Sequence, residues 1–176
     1  ASAKLGAILP GLYNFAVKNN IIGGAIKKLS GFATKRSMPT MYKTTLRSWY
    51  KTQGTRDKAQ GTRNTRRVYL FCDEFTNYND TEIGITTVNL LEKLGYAVTI
   101  PEHKDSGRAW LSKGLIRKGK EIAEQNIELL SPIITEETPL IGIEPSALLT
   151  FRDEYPDLAS DALLDKANAL AKNALL

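Results

Sequence analysis

Short apolar runs alternate with amphipathic helical stretches through the last two-thirds of this sequence. That alternation predicts an α/β fold: a small three-stranded parallel sheet with helices on both faces, preceded by a basic helical segment. Two further observations support it. The candidate strands at 68–71, 97–100 and 140–143 are largely apolar, as strands covered on both faces must be. Each is separated from the next by enough chain for the helical crossover that parallel pairing requires.

Taken in order, Leu5, Ile8, Leu9, Leu12, Phe15 and Ala16 recur at helical spacing, and Ile21, Ile22, Ala25, Ile26 and Leu29 repeat the pattern after Asn19 and Asn20. Two amphipathic helices that need a partner surface are expected, weakened by Pro10 and by the pair Gly23 and Gly24. Met38, Pro39 and Thr40 mark a break, and a short helix over 44–50 carries Leu46, Trp49 and Tyr50. Residues 51–67, with Gly54, Gly61, four threonines and no large apolar side chain, read as a flexible basic linker. The expected organisation is therefore a helical segment 1–50, the linker 51–67 and an α/β domain 68–176.

Within that domain the first strand leads into a polar loop over 72–79. Asn79 and Glu82 have capping-box spacing for a helix with Ile83, Val88, Leu90, Leu91 and Leu94, which stops at Gly95. After the second strand a single long helix is expected over 109–130, with Leu115, Ile116, Gly119, Ile122, Ala123, Ile127 and Leu130 on one side. Pro145 and Ser146 suit a helix start after the third strand, and Asp161 suits the cap of a last helix with Leu163, Leu164, Ala167, Leu170 and Ala171. A parallel sheet would gather the three strand-ending loops at its carboxyl edge, where open α/β sheets bind ligands.

Composition removes several function classes. The 176 residues include one cysteine and one histidine, which rules out an internal disulfide, a zinc finger or a self-contained iron–sulfur ferredoxin. No apolar run approaches the roughly 20 residues that span a bilayer, and no secretory signal order is present. The first residue is not methionine, which suggests a piece of a longer polypeptide; the cytoplasm is the expected location, with attachment to the inner face of the membrane as an alternative.

Charge divides the chain. Residues 1–67 hold fourteen basic side chains against one acid, Asp57, and the remainder holds ten against eighteen, within an overall +5. The basic part permits docking onto acidic domains of the same polypeptide, or onto an anionic membrane surface. Nucleic acid is disfavoured, because Trp49 and Tyr50 share helical spacing with Leu46 and read as packed.

The candidate edge reads Cys72-Asp73-Glu74-Phe75, then His103-Lys104-Asp105-Ser106-Gly107-Arg108, then Glu144-Pro145-Ser146-Ala147. Cys72 is either a buried inert thiol or a thiolate favoured by a helix start, with Asp73 and Glu74 opposing a lowered pKa. His103 is either bonded to a neighbour or, with Cys72 and Asp105, part of a metal triad. The helix starts near Ser106, Gly107 and Arg108 and at Ser146 could hold an anion through backbone N–H groups. No nucleophile triad or phosphate fingerprint follows from spacing, so no catalytic residue is assigned.

A strand ending in cysteine, a loop with glycine before a helix about thirty residues later, and Pro145-Ser146 after a third strand, followed by Glu154-Tyr155, together resemble the cysteine-rich CCG domain. That domain occurs in iron–sulfur subunits of glycolate oxidase, anaerobic glycerol-3-phosphate dehydrogenase and heterodisulfide reductase, and in FAD-linked oxidases fused to such subunits. The likeness runs over 68–158, and Arg36-Ser37-Met38-Pro39 is similar to the region that joins a ferredoxin-like domain to the first CCG domain. The resemblance implies a fragment of a multidomain FAD-linked, iron–sulfur oxidoreductase acting on a 2-hydroxy acid or glycerol 3-phosphate, with FAD and clusters elsewhere in the full-length protein. In the family the three loops supply cluster cysteines. Here only Cys72 keeps that position; Asp105 and Ser106 stand before Gly107, and Ala147 follows Pro145-Ser146. The resemblance therefore implies a scaffold or electron-transfer-subunit domain with a degenerate cluster site and no metal of its own. The alternative is a non-catalytic α/β module that binds an anion or a protein partner at the carboxyl edge.

Overall fold

The structure, a computed structural model, describes residues 8–53 and 66–176. Most of the linker reading falls on 54–65 and lies outside the described residues, as does Leu5. At the linker's two ends the chain is regular: 51–53 complete a helix, and Arg66 and Arg67 open the first strand.

The basic segment forms α1 (Pro10–Lys18) and α2 (Asn20–Leu29), packed as a hairpin. Asn19 between them caps α2, its side chain accepting from the N–H groups of Ile21 and Ile22 at 3.0 Å each. Asn14 on α1 ties the hairpin to the body of the domain by bonding both the N–H and the carbonyl of Met41 at 2.8 Å. Next, α3 (Leu46–Gln53) lies against the later helix α5 (Thr81–Lys93).

The sheet is parallel throughout, but it has four strands where the sequence predicts three. Its order is β2 (Tyr96–Thr99), β1 (Arg66–Leu70), β3 (Leu140–Ile141), β4 (Ala174–Leu175). The additional strand is two residues long and follows a helix directly, so it carries no alternation from which to read it. Alternate residues of the first strand face opposite sides, the period of a pleated backbone. Phe71 enters a core with Ile127, Leu140, Leu148 and Phe151, whereas Val68, Leu70 and Cys72 enter a second with Leu46, Val88 and Val98. Helices cover both faces accordingly: α7 (Ile116–Leu130), α8 (Pro145–Asp153) and α10 (Leu164–Lys172) the first, α3 and α5 the second.

The basic segment also finishes the sheet. β2 is an edge strand, and Tyr50 on α3 donates its hydroxyl to the Val98 carbonyl at 2.9 Å, occupying an acceptor that an open edge would offer to another chain. Trp49 packs beside it on the second core.

Four helix readings change. The loop after β1 contains a short helix, α4 (Glu74–Tyr78), because Asp73 caps it by accepting from the N–H groups of Phe75 and Thr76. Asn79 does not cap α5; its side chain donates to the Thr40 carbonyl at 2.9 Å, a contact across 39 residues. The single helix expected over 109–130 is two, α6 (Arg108–Leu111) and α7, separated by a turn at 112–114. The segment after α8 holds α9 (Tyr155–Leu158), then a 3-10 turn at Asp161–Leu163 where Asp161 makes no side-chain cap. Gly95 does end α5 with a left-handed residue, at φ 87°.

Candidate functional site

All three strand-ending loops lie at one edge and are tied to each other. The first meets the second through His103, whose Nε2 accepts the Cys72 N–H at 3.1 Å. Its Nδ1 lies 2.6 Å from the Lys104 carbonyl, which can only accept, so Nδ1 carries the proton and the ring is neutral. Burial holds this imidazole down to about 3, aided by the nearby Arg47 guanidinium and opposed by the Lys104 carbonyl and Asp105. The ring also stacks on Phe71 with centroids 4.3 Å apart.

Glu74 makes a second link, accepting from the Ser106 hydroxyl at 3.2 Å, and Ser106 Oγ in turn accepts the Arg108 N–H at 3.2 Å. Burial raises the Glu74 carboxyl above its ordinary value, and Asp105 and Asp73 add to the rise while N–H bonds from its own backbone and from Ser106 oppose it. Gly107 then turns the chain at φ 82°, a backbone state that a side chain would strain.

A buried polar post supports the second loop from below. Asn126 on α7 is fully buried; its Oδ1 accepts the Lys104 N–H at 2.8 Å and its amide donates to the Asp105 carbonyl at 3.0 Å and the Tyr155 hydroxyl at 2.8 Å. Tyr155, equally buried, donates to the Ser106 carbonyl at 3.0 Å. Every polar atom of that post has a partner, so the loop is held rigidly.

The third loop meets the first through charge. Glu144 lies near enough to Asp73 to help burial raise the Asp73 carboxyl, against the bonds from Thr76 and Phe75. Glu144 caps α8 itself, accepting the Ala147 N–H at 2.6 Å and the Ser146 hydroxyl at 2.8 and 2.9 Å. An anion at this helix start, which the sequence permits, would compete with the chain's own carboxylate.

The edge opens into a cleft of about 490 Å³. Of the loop residues named from the sequence, Cys72, Glu74, His103, Lys104 and Asp105 line it; Asp73, Ser106, Gly107, Arg108, Glu144 and Ser146 do not. Sequence reasoning missed Arg47, Asn77, Tyr78 and Trp110, and Lys118 and Ile122 complete much of the wall. Arg47 arrives from α3, which the sequence pattern presents only as part of a basic helical segment. Nothing local could have placed its guanidinium, which donates to the Pro101 carbonyl at 3.3 Å across 54 residues.

Cys72 takes the inert form. Its thiol donates to Asn77 Oδ1 at 3.5 Å, and burial pushes it up to about 12, with Arg47 opposing and Asp73 adding to the rise. A cluster bound in the CCG manner does not fit these donors. One thiol is protonated and bonded, Ser106 Oγ is engaged with Glu74, and Ala147 offers no donor. The Cys72, His103 and Asp105 triad fails for a related reason: both imidazole nitrogens are already bonded. Among the described residues no group of three or more His, Cys, Asp or Glu side chains could hold a metal.

Fold and edge together define an α/β domain with a cleft at its carboxyl rim, where several polar groups bond to the chain's own loops. Its relatives are dehydrogenases by name. The chain is 25% identical over 167 residues to the D-2-hydroxyglutarate dehydrogenase of Pantoea ananatis, covering 91% of this chain and 16% of that protein. It is 26% identical over 157 residues to the enzyme of the same name from Escherichia coli K12, covering 87% and 15%. One subunit of the anaerobic glycerol-3-phosphate dehydrogenase of Escherichia coli K12 is 24% identical over 181 residues, covering 90% of this chain and 45% of that subunit. The chain thus spans about one-sixth of the length of the first relatives. These homologues are consistent with a CCG-like domain. No family model and no solved structure matches the chain.

Proposed function

We propose that this chain is a scaffold domain in the electron-transfer part of a multidomain FAD-linked, iron–sulfur oxidoreductase that acts on a 2-hydroxy acid or on glycerol 3-phosphate. The relatives support the oxidoreductase setting, because both kinds match about nine-tenths of this chain while extending well beyond it. The observation that carries the scaffold role is the internal use of the rim: Cys72, His103, Ser106 and Glu144 bond to one another's loops or to their own helix. In this reading flavin and clusters belong to other parts of the protein, and this domain holds its neighbours in place. No helix among the described residues is long and apolar enough to cross a membrane.

The test uses the full-length protein, purified without oxygen. Bound flavin is expected to bleach on addition of D-2-hydroxyglutarate or glycerol 3-phosphate, and Cys72→Ser is expected to leave iron and sulfide per flavin unchanged. A protein with neither flavin nor iron refutes the oxidoreductase setting. Loss of one cluster's iron and of its paramagnetic signal in the variant refutes the scaffold role.

A further inference from the structure

Arg47 is bonded differently from its neighbours in the rim. Its backbone N–H is fixed by Asn77 Oδ1 at 3.1 Å and one guanidinium nitrogen by the Pro101 carbonyl, so the side chain is positioned from both ends. The ion pairs among the described residues are Lys118 with Glu121 and Lys120 with Glu124, and neither involves Arg47. A half-buried guanidinium with a single neutral acceptor keeps further N–H donors in the planar fork that suits a carboxylate. Its charge reaches other residues of the cleft, since it acts on both the Cys72 thiol and the His103 ring.

The rest of the cleft limits what can sit there. Lys104 adds a second cation to Arg47, Lys118 is held by Glu121 at 2.5 Å, and Glu74 and Asp105 bring two carboxylates, so the wall carries cations and carboxylates in equal number. The two wall carboxylates repel a dianion such as phosphate more strongly than a monoanion, so the anion that the fixed Arg47 guanidinium can hold is a singly charged one. Trp110, Tyr78 and Ile122 supply apolar wall, and a cleft of about 490 Å³ is far larger than a carboxylate alone needs.

We propose that this cleft binds a small organic monocarboxylate, its carboxylate clasped by Arg47 and its apolar body lying along Trp110 and Ile122. The assignment does not depend on the oxidoreductase reading; it needs only the cleft.

The test is an NMR titration of the whole chain with butyrate and 3-phenylpropionate, against butyramide, inorganic phosphate and an acidic peptide. The Trp110 indole N–H reports from the cleft, and Trp49, packed in the second core, serves as an internal control. Saturable shifts at Trp110 alone are expected in the millimolar range, tighter for 3-phenylpropionate, with Arg47→Gln weakening both acids about tenfold, the scale of losing one charged clasp. Lys104 is exposed and its backbone, not its side chain, makes the Asn126 bond, so Lys104→Glu is the second variant; it is expected to weaken both acids about tenfold by the same charge argument without disturbing the fold. No saturation, equal binding of butyramide, tighter binding of phosphate or of the peptide, or indifference to either substitution overturns the assignment.

Discussion

His103 shows how one side chain can join two loops and set a pH response. Both ring nitrogens are bonded in the neutral form, so protonation must break the contact with the Cys72 N–H. In the unfolded chain the imidazole takes its proton near 6.5, in the fold only near 3. Between those values the unfolded state binds more protons, and stability falls as pH falls. Asp73 and Glu74 act in the opposite sense. Their raised carboxyls add stability at acid pH that is lost as pH rises through the folded values, so the His103 fall is partly offset. His103→Phe keeps a ring against Phe71 but removes the acceptor for a buried N–H. It should lower stability at pH 7 by about 1–3 kcal/mol, the cost of an orphaned buried donor. It should also flatten the acid limb below pH 6.5, read from urea midpoints at a series of pH values. A limb as steep in the variant as in the parent would show that other groups carry it. The residue was visible in the sequence as the lone histidine, and so was a bond to a neighbour as one of its two uses. Which neighbour was not, because the partner lies 31 residues away.

Among the elements, the contact between α3 and α5 rests on the absence of a side chain. Gly84 on α5 lets Leu46 seat completely; a Cβ there would stand 2.5 Å from Leu46 Cδ2 and 2.8 Å from Thr76 Cγ2. Gly84→Ala gains helix propensity of about 1 kcal/mol but overpacks a full site, which typically costs about 1–3 kcal/mol. The net expectation is destabilisation, with α3 losing amide hydrogen-exchange protection before the sheet does. A more stable protein with α3 still protected would mean that Leu46 moves aside without cost. The strand-to-helix alternation and the stop at Gly95 were legible, because each leaves a local pattern of period or backbone freedom. The break between α6 and α7 was not. Leu115, Ile116 and Gly119 continue the apolar spacing across it, and the turn at 112–114 is held in part by the Leu115 N–H bonded to the Trp110 carbonyl at 3.0 Å. α4 was hidden differently, since its five residues depend on the Asp73 cap more than on any apolar face.

At the scale of the molecule, the basic segment divides into parts with different roles. α3 is integral: it fills the second core with Leu46 and covers the β2 edge with Tyr50. The α1–α2 hairpin presents Ile21 and Leu29 at 85% and 89% exposure and reaches the body mainly through Asn14 and Met41. Removing residues 1–37 should therefore shift the urea midpoint by no more than about 1 kcal/mol equivalent, the worth of one or two partly buried hydrogen bonds. Removal through residue 53 should cost about 3 kcal/mol or more, because a fully buried leucine is lost and a strand edge uncovered. Equal losses from the two truncations would contradict that division. The carboxyl edge itself was legible from strand order and the positions of three loops. Arg47 and the cleft it helps to wall were not, since they arise from a helix folded back onto β2 from outside the strand and crossover pattern.

The last strand of the sheet has a consequence for the newborn protein. β4 sits directly on β3, yet α8, α9 and α10 must all be synthesised before it exists. At about 5–20 residues per second of translation, the outer flank of Leu140 and Ile141 stays bare for seconds on the ribosome. During that interval the uncovered flank is open to mispairing with a neighbouring chain.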